Sequence, residues 1–325
     1  MNLAAWADQL LEQHGYNGSI LLASHDEILI SKGYGLANFE TRQVINKDTI
    51  FKIASIAKQF TAVSILKLQE KGLLRVEDTL SKYVPECKGL ADVTIHELLT
   101  HSSGLDEDAL IDWNVNEDRR PLHTLALHTV MPAGARGEYR YSNFGYALLG
   151  LIVERLSGQP YEAFIEKELF APFGMIRTGG RMDVLRHEAN MGLGYSRGEP
   201  AWKEDIPSHN SAGSIVYSAV EDLYRWDRAL HLGQAANQES LKAMFTPHVR
   251  IDEERSYGYG WVVYQERPHI RYHNGSLSGY SCTMIRDAKS DSVLIALSNL
   301  ADTGMQPIEA LKQGLKEHYP EFMQL

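Results

Sequence analysis

Strand-like runs occupy the two ends of this chain and helix-like runs fill its middle, and that distribution constrains the fold more than any other feature. Gly18 to Ser24 and Ile28 to Gly35 are β-rich and flank His25-Asp26-Glu27, the pattern of a hairpin. Four further runs follow one another near the C-terminus: Tyr257 to Tyr264, Ile270 to Asn274, Tyr280 to Arg286 and Val293 to Asn299. A helix with Leu3, Trp6 and Leu10 at helical spacing opens the chain, and another, Pro307 to His318, closes it. No linker, repeat or low-complexity tract divides the sequence, so a second domain must be an insertion. The expected fold class is α+β, an antiparallel sheet flanked by helices with an inserted all-helical domain. The sheet domain takes residues 1–60 and 206–325, and the helical domain residues 61–205. Within the helical part Thr94 caps Ile95 to Leu99, and the helix Tyr146 to Leu156 ends at Gly158. Ser218 with Glu221 reads as a capping box opening a helix through Leu230.

Composition narrows the function. The 325 residues carry 42 acidic side chains against 32 Lys and Arg, a net charge of −10, so a phosphate-tracking nucleic-acid surface is excluded. The longest uncharged apolar stretch, Asn143 to Val153, falls short of the roughly 20 residues that cross a bilayer. Asp8 interrupts the N-terminal apolar pattern, which reads as a surface helix and not as a signal peptide. The expectation is a cytoplasmic protein, or an extracytoplasmic one if a leader has been removed. Two isolated cysteines, Cys87 and Cys282, have no C-x-x-C spacing and read as free thiols of a reducing compartment.

Three short motifs could carry chemistry. Ser55-Ile-Ala-Lys58 lies where the strand-like run Thr49 to Ile53 meets an apolar helix from Ile56 to Lys71, ended by Gly72. On a helix, residues three apart lie about 4.5 Å apart along the axis, so the Lys58 amine can approach the Ser55 hydroxyl. Burial near a helix start disfavours the ammonium, which makes a neutral amine available as a base, and the Ser55 N–H becomes an oxyanion donor. Tyr141-Ser-Asn143 follows a Gly-bearing loop, where a tyrosine near a lysine can pass protons. His273-Asn274-Gly275 ends a predicted strand.

In this order the motifs resemble the penicillin-recognising serine hydrolases: class C β-lactamases, D-alanyl-D-alanine carboxypeptidases, D-aminopeptidases and related esterases. The text around them is similar too, in Phe51-Lys-Ile-Ala-Ser55, Leu98-Leu-Thr-His101-Ser-Ser-Gly104-Leu105, Tyr141-Ser-Asn-Phe-Gly145-Tyr146 and Ala212-Gly213. The resemblance implies a β-lactamase and penicillin-binding-protein-like fold with a cleft between its two domains. It implies Ser55 as the acyl-accepting nucleophile, with Lys58 and Tyr141 as the pair that takes and returns its proton. Asn143 would bond the substrate amide or orient Lys58, Ser276 would supply a second oxyanion N–H, and Gly275 would leave room for the substrate backbone. His273-Asn274 departs from the family's usual Lys-Thr/Ser, which implies weaker recognition of a substrate carboxylate. The Ser-Asp-Asn triplet and Glu base of class A enzymes are not evident.

Other readings compete. His96-Glu-Leu-Leu-Thr-His101 has i+5 spacing, which turns the second imidazole about 140° from the first on an unbroken helix, so no shared metal and no cofactor are expected. Gly275-Ser-Leu277-Ser-Gly279 lacks the central serine of a nucleophile elbow. The acidic run Asp106 to Arg120, with Trp113, reads as a solvated loop or as an overhang of the cleft. The expected partner is a small-molecule or short-peptide substrate. The alternative is a catalytically silent binding or sensor protein on the same fold, which acylates without turnover.

Overall fold

The computed structural model describes residues 2–105, 134–180, 190–201 and 216–323. Its centre is an eight-stranded sheet made of β1 (Gly18–Ser24), β2 (Glu27–Tyr34), β3 (Val249–Arg250), β4 (Arg255–Tyr257), β5 (Val262–Tyr264), β6 (Ile270–Leu277), β7 (Tyr280–Asp287) and β8 (Ser292–Ser298). The strand order is β2-β1-β8-β7-β6-β5-β4-β3, all neighbours antiparallel, so the first strand is zipped to the last from Gly18↔Ser298 to Ser24↔Ser292. The β1–β2 turn is only His25-Asp26, both at positive φ, which matches the right-handed twist of a hairpin.

Side chains alternate across the sheet and fill two cores. Leu21, Ala23, Met284, Ile295 and Leu297 face one core, and Ile20, Leu22, Ile285, Leu294 and Ala296 the other. The second core is closed by α1 (Leu3–Gln13) and the C-terminal helix Gln306–His318, through Ala7, Leu11, Ile308, Leu311 and Leu315. The first core takes α2 (Lys58–Glu70), α3 (Ile95–Leu99), α4 (Asn143–Ser157) and α5 (Val220–His231). Helix α2 is buried around nearly its whole circumference from Lys58 to Leu66 and stops where Gly72 turns to φ +71°. Thr94 and Glu97 form a full capping box on α3, and Gly158, at φ +71°, ends α4. Among the described residues no helix is long and apolar enough to cross a membrane.

Three local expectations are corrected. Tyr257 to Tyr264 is not one strand but β4 and β5, interrupted at Gly258–Gly260. Gly260 has φ +73°, and a Cβ there would stand 2.8 Å from the Lys58 carbonyl oxygen, so this bend is packed onto the start of α2. The run Thr49 to Ile53 contributes only Phe51–Lys52, paired with Tyr217–Ser218 outside the main sheet. Ser218 and Glu221 form no capping box. Ala219 is the N-cap of α5, the Ser218 hydroxyl bonds Thr178 at 2.7 Å, and Glu221 accepts from Ser31 and Lys47 at 3.0 Å each. Distant partners outcompete the local bond.

Candidate active site

Ser55 sits in a 3₁₀ turn, Ala54–Ala57, that leads directly into α2. Such a turn has three residues per revolution, so residues 55 and 58 eclipse, bringing the lysine over the serine more directly than the expected α-helical start. Lys58 Nζ lies 3.2 Å from Ser55 Oγ. From residue 51 to residue 60 every residue but Ser55 is buried. The preceding Ala54 has φ +48°, a left-handed conformation that a non-glycine residue adopts at a cost, and it turns the chain into the 3₁₀ turn.

Two more groups converge on the same point. The Tyr141 hydroxyl donates to Ser55 Oγ at 2.7 Å, and Asn143 Oδ1 accepts from Lys58 Nζ at 2.7 Å. The fully buried Lys58 amine also stands 4.7 Å from the Tyr141 ring centre and 5.4 Å from that of Tyr146. Asn143 is the first residue of α4, whose N-cap Ser142 accepts from the Gly145 N–H. Asn143 thus holds Lys58 through its Oδ1, which is one of the two roles expected for it. Ser55, Lys58, Tyr141 and Asn143 therefore form one hydrogen-bonded group drawn from two helix starts far apart in sequence.

The third motif lies on β6 beside this group, with a different disposition from the expected one. Gly275 pairs with Cys282, and a Cβ on it would meet the Ile53 carbonyl oxygen at 2.3 Å and Cys282 Sγ at 2.5 Å. The room left by this glycine is taken by the main chain leading into the turn that carries Ser55. His273 is buried, its Nδ1 bonded to the Asn274 carbonyl at 2.6 Å and its Nε2 to the Tyr257 hydroxyl at 2.9 Å. A carbonyl only accepts, so Nδ1 carries the proton and Tyr257 donates to Nε2. Burial first, then the nearby Lys58, lowers the His273 pKa to about 3, against which the Asn274 bond acts weakly. His273 is thus a neutral, fully engaged ring and not a cation presented to a ligand. Asn274 is exposed and accepts from Thr283 at 2.7 Å, and Ser276 is exposed opposite Ser281.

The sequence matches the Beta-lactamase family over residues 3–316. Penicillin-binding protein 4* of Bacillus subtilis (strain 168) is 31% identical over 320 residues, covering 90% of this chain and 70% of that protein. The chain belongs to the Beta-lactamase family. A penicillin binding protein from Bacillus halodurans superposes with TM-score 0.84 at 27% identity over 94% of this chain and 98% of that one. The D-amino acid amidase from Ochrobactrum anthropi SV3 has the same fold, with TM-score 0.80 at 22% identity over 97% and 99% of the two chains. The fold class expected from the strand distribution is that of the family.

Beyond the expected residues, two that sequence reasoning did not single out border the hydrogen-bonded group around Ser55. Tyr257 holds the His273 ring, and its own phenol is pushed well above its ordinary pKa by burial. His101 packs against Tyr141, the ring centres 4.3 Å apart and the planes tilted by 37°. The only signal for His101 was its place in the Leu98 to Leu105 stretch, where the metal comparison with His96 drew attention elsewhere. The two imidazoles diverge, His96 meeting Tyr259 and His248, and His101 meeting Tyr141, Tyr146 and Tyr257. Both thiols are buried, and burial raises the Cys87 pKa to about 11 and that of Cys282 further, so neither is a ready nucleophile. The Asp106 to Arg120 run and Ala212-Gly213 lie outside the described residues.

Proposed function

We propose that the protein is a serine hydrolase that works through an acyl-enzyme on Ser55, acting on small esters and amides, including D-amino-acid amides and peptides, in preference to β-lactams. The observation that carries this reading is the convergence of Lys58 Nζ and Tyr141 OH on one serine oxygen, at 3.2 and 2.7 Å. Both lie within proton-transfer reach of Oγ. In the first half-reaction Ser55 Oγ bonds the substrate carbonyl carbon and its proton passes to the Lys58–Tyr141 pair. The negative charge goes to the carbonyl oxygen, met by the main-chain N–H groups of Ser55 and Ser276. The intermediate then expels the alkoxide or amine, which leaves with the pair's proton. Water repeats the sequence on the acyl-enzyme and frees the acid.

The substrate preference rests on His273. A neutral ring with both nitrogens engaged offers no charge to a substrate carboxylate, so acyl groups that are uncharged or carry an amine fit this position better than carboxylate-bearing ones. The D-amino acid amidase fold neighbour is consistent with this. The test is a panel of chromogenic esters, D-amino-acid amides, D-Ala-D-Ala peptides and a cephalosporin, read for burst and steady state. Esters or amides should turn over fastest, with the cephalosporin acylating slowly. Cephalosporin hydrolysis exceeding every ester and amide would overturn the preference, and a stoichiometric burst with no turnover on any compound would favour a sensor protein.

A further inference from the structure

One residue clamps the main chain on both sides of Tyr141. The His101 carbonyl accepts from the Arg140 N–H at 2.7 Å, and its Nδ1 accepts from the Ser142 N–H at 3.0 Å. The imidazole is 1% exposed and lies between the rings of Tyr141, at 4.3 Å, Tyr257, at 4.6 Å, and Tyr146, at 5.0 Å. A main-chain N–H can only donate, so Nδ1 is the bare nitrogen and Nε2 carries the proton. Burial foremost, with Lys58 and His273 nearby, keeps this ring's pKa well below its ordinary value, so the tautomer that accepts from Ser142 persists. His101 has φ +56°, a conformation in which His and Asn are found more readily than most side chains.

Ser142 is the joint between the two motif residues. Its hydroxyl holds the start of α4, which carries Asn143, and its N–H is held by His101, directly after Tyr141. Building on the reading of Ser55 as the nucleophile, we propose that His101 is a positioning residue: a neutral acceptor that sets the Tyr141 phenol against Ser55 Oγ and the Asn143 amide against Lys58, without touching substrate. Removing the acceptor would leave a buried N–H unpaired and let the joint shift, and a displacement of about 1 Å at such a centre can cost about a hundredfold in rate.

The phosphonylation of Ser55 by a fluorophosphonate tests this without a known substrate. Asparagine at this position places its Oδ1 close to where Nδ1 stands, whereas glutamine carries its carbonyl one methylene too far. The His101→Asn variant should label within about fivefold of the wild-type rate, and His101→Gln should be slower by about thirtyfold or more. The loss should fall in the maximal inactivation rate, with the reagent's half-saturation constant unchanged. If His101→Gln does not fold, His101→Phe, which keeps a ring and lacks the acceptor, takes its place with the same expectation. Equal rates in the folded Asn and Gln (or Phe) variants, or a loss confined to half-saturation, would overturn the proposal. Absence of a Ser55 adduct in the wild-type protein would instead overturn the reading of Ser55 itself.

Discussion

Strand β6 connects two buried polar clusters whose cations are met in opposite ways. Near its start, Arg271 lies 3.6 Å over the Phe245 ring, and its register partner Arg286, 1% exposed, bonds Asp227 at 2.9 Å and also Asp291. Arg228 joins from α5, bonded to Asp291 at 3.0 Å and to Asp26. Near its end, Gly275 packs under the turn that carries Ser55 and Lys58, where the Lys58 amine is bonded by the neutral oxygens of Asn143 and Ser55. A guanidinium held by carboxylates is locked in charge and geometry, and serves the fold. An amine bonded to a serine hydroxyl and an amide oxygen stands beside the group it would serve in the proposed reaction. Burial alone does not separate the two; the partners do.

The sharpest way to break this comparison is Ser55→Ala. It should abolish hydrolysis and phosphonylation, a loss of about 10⁴-fold or more, while melting stays near the wild-type temperature. An adduct surviving on another serine would move the chemistry elsewhere. Lys58→Ala and Tyr141→Phe should each lose about 10²- to 10⁴-fold in rate. The double variant should lose less than the product of the two, because both act on one proton; fully multiplicative losses would mean that they act separately.

At the other end of β6, Asp227→Ala leaves Asp291 as the remaining carboxylate on the buried Arg286 guanidinium and should cost about 1–3 kcal/mol of stability, read by denaturant titration. Its Ser55 labelling rate, measured well below its melting temperature, should match the wild type. A stable but slow-labelling variant would show that the ion cluster acts on the site.

The smallest expected effect is a pH dependence. His273 is neutral in the fold down to about pH 3, whereas the unfolded chain takes up this proton near 6.5. Between those values the unfolded state binds more protons, so stability is fully present above pH 6.5 and falls as pH drops toward 3. Melting temperatures recorded from pH 7 to about pH 4.5 should decline, and His273→Gln should make the decline shallower. His101, also held neutral by burial, accounts for part of what remains. An unchanged slope in His273→Gln would mean that this ring takes up its proton without unfolding.

Short-range pattern was enough for much of this molecule. The β-rich runs marked β1, β2, β7 and β8, Thr94 and Gly158 marked helix ends, and the order of the three motifs gave the family resemblance that the Beta-lactamase match bears out. These features are written in residues within a turn or two of one another, or in a motif's own text, so a sequence displays them directly.

What only the tertiary structure decided is where each side chain's partner lies. Ser218 and Glu221 have the spacing of a cap, yet bond Thr178, Ser31 and Lys47 from remote segments. His273 reads in the sequence as an ordinary strand-end histidine, and only the Tyr257 phenol and the burial around it make it a neutral, fully engaged ring. Gly275 is small because Ile53 and Cys282 press on it, and His101 matters because Ser142, 41 residues away, donates to it. Hydrogen-bond energy does not depend on sequence separation, so the strongest available partner wins wherever the fold places it.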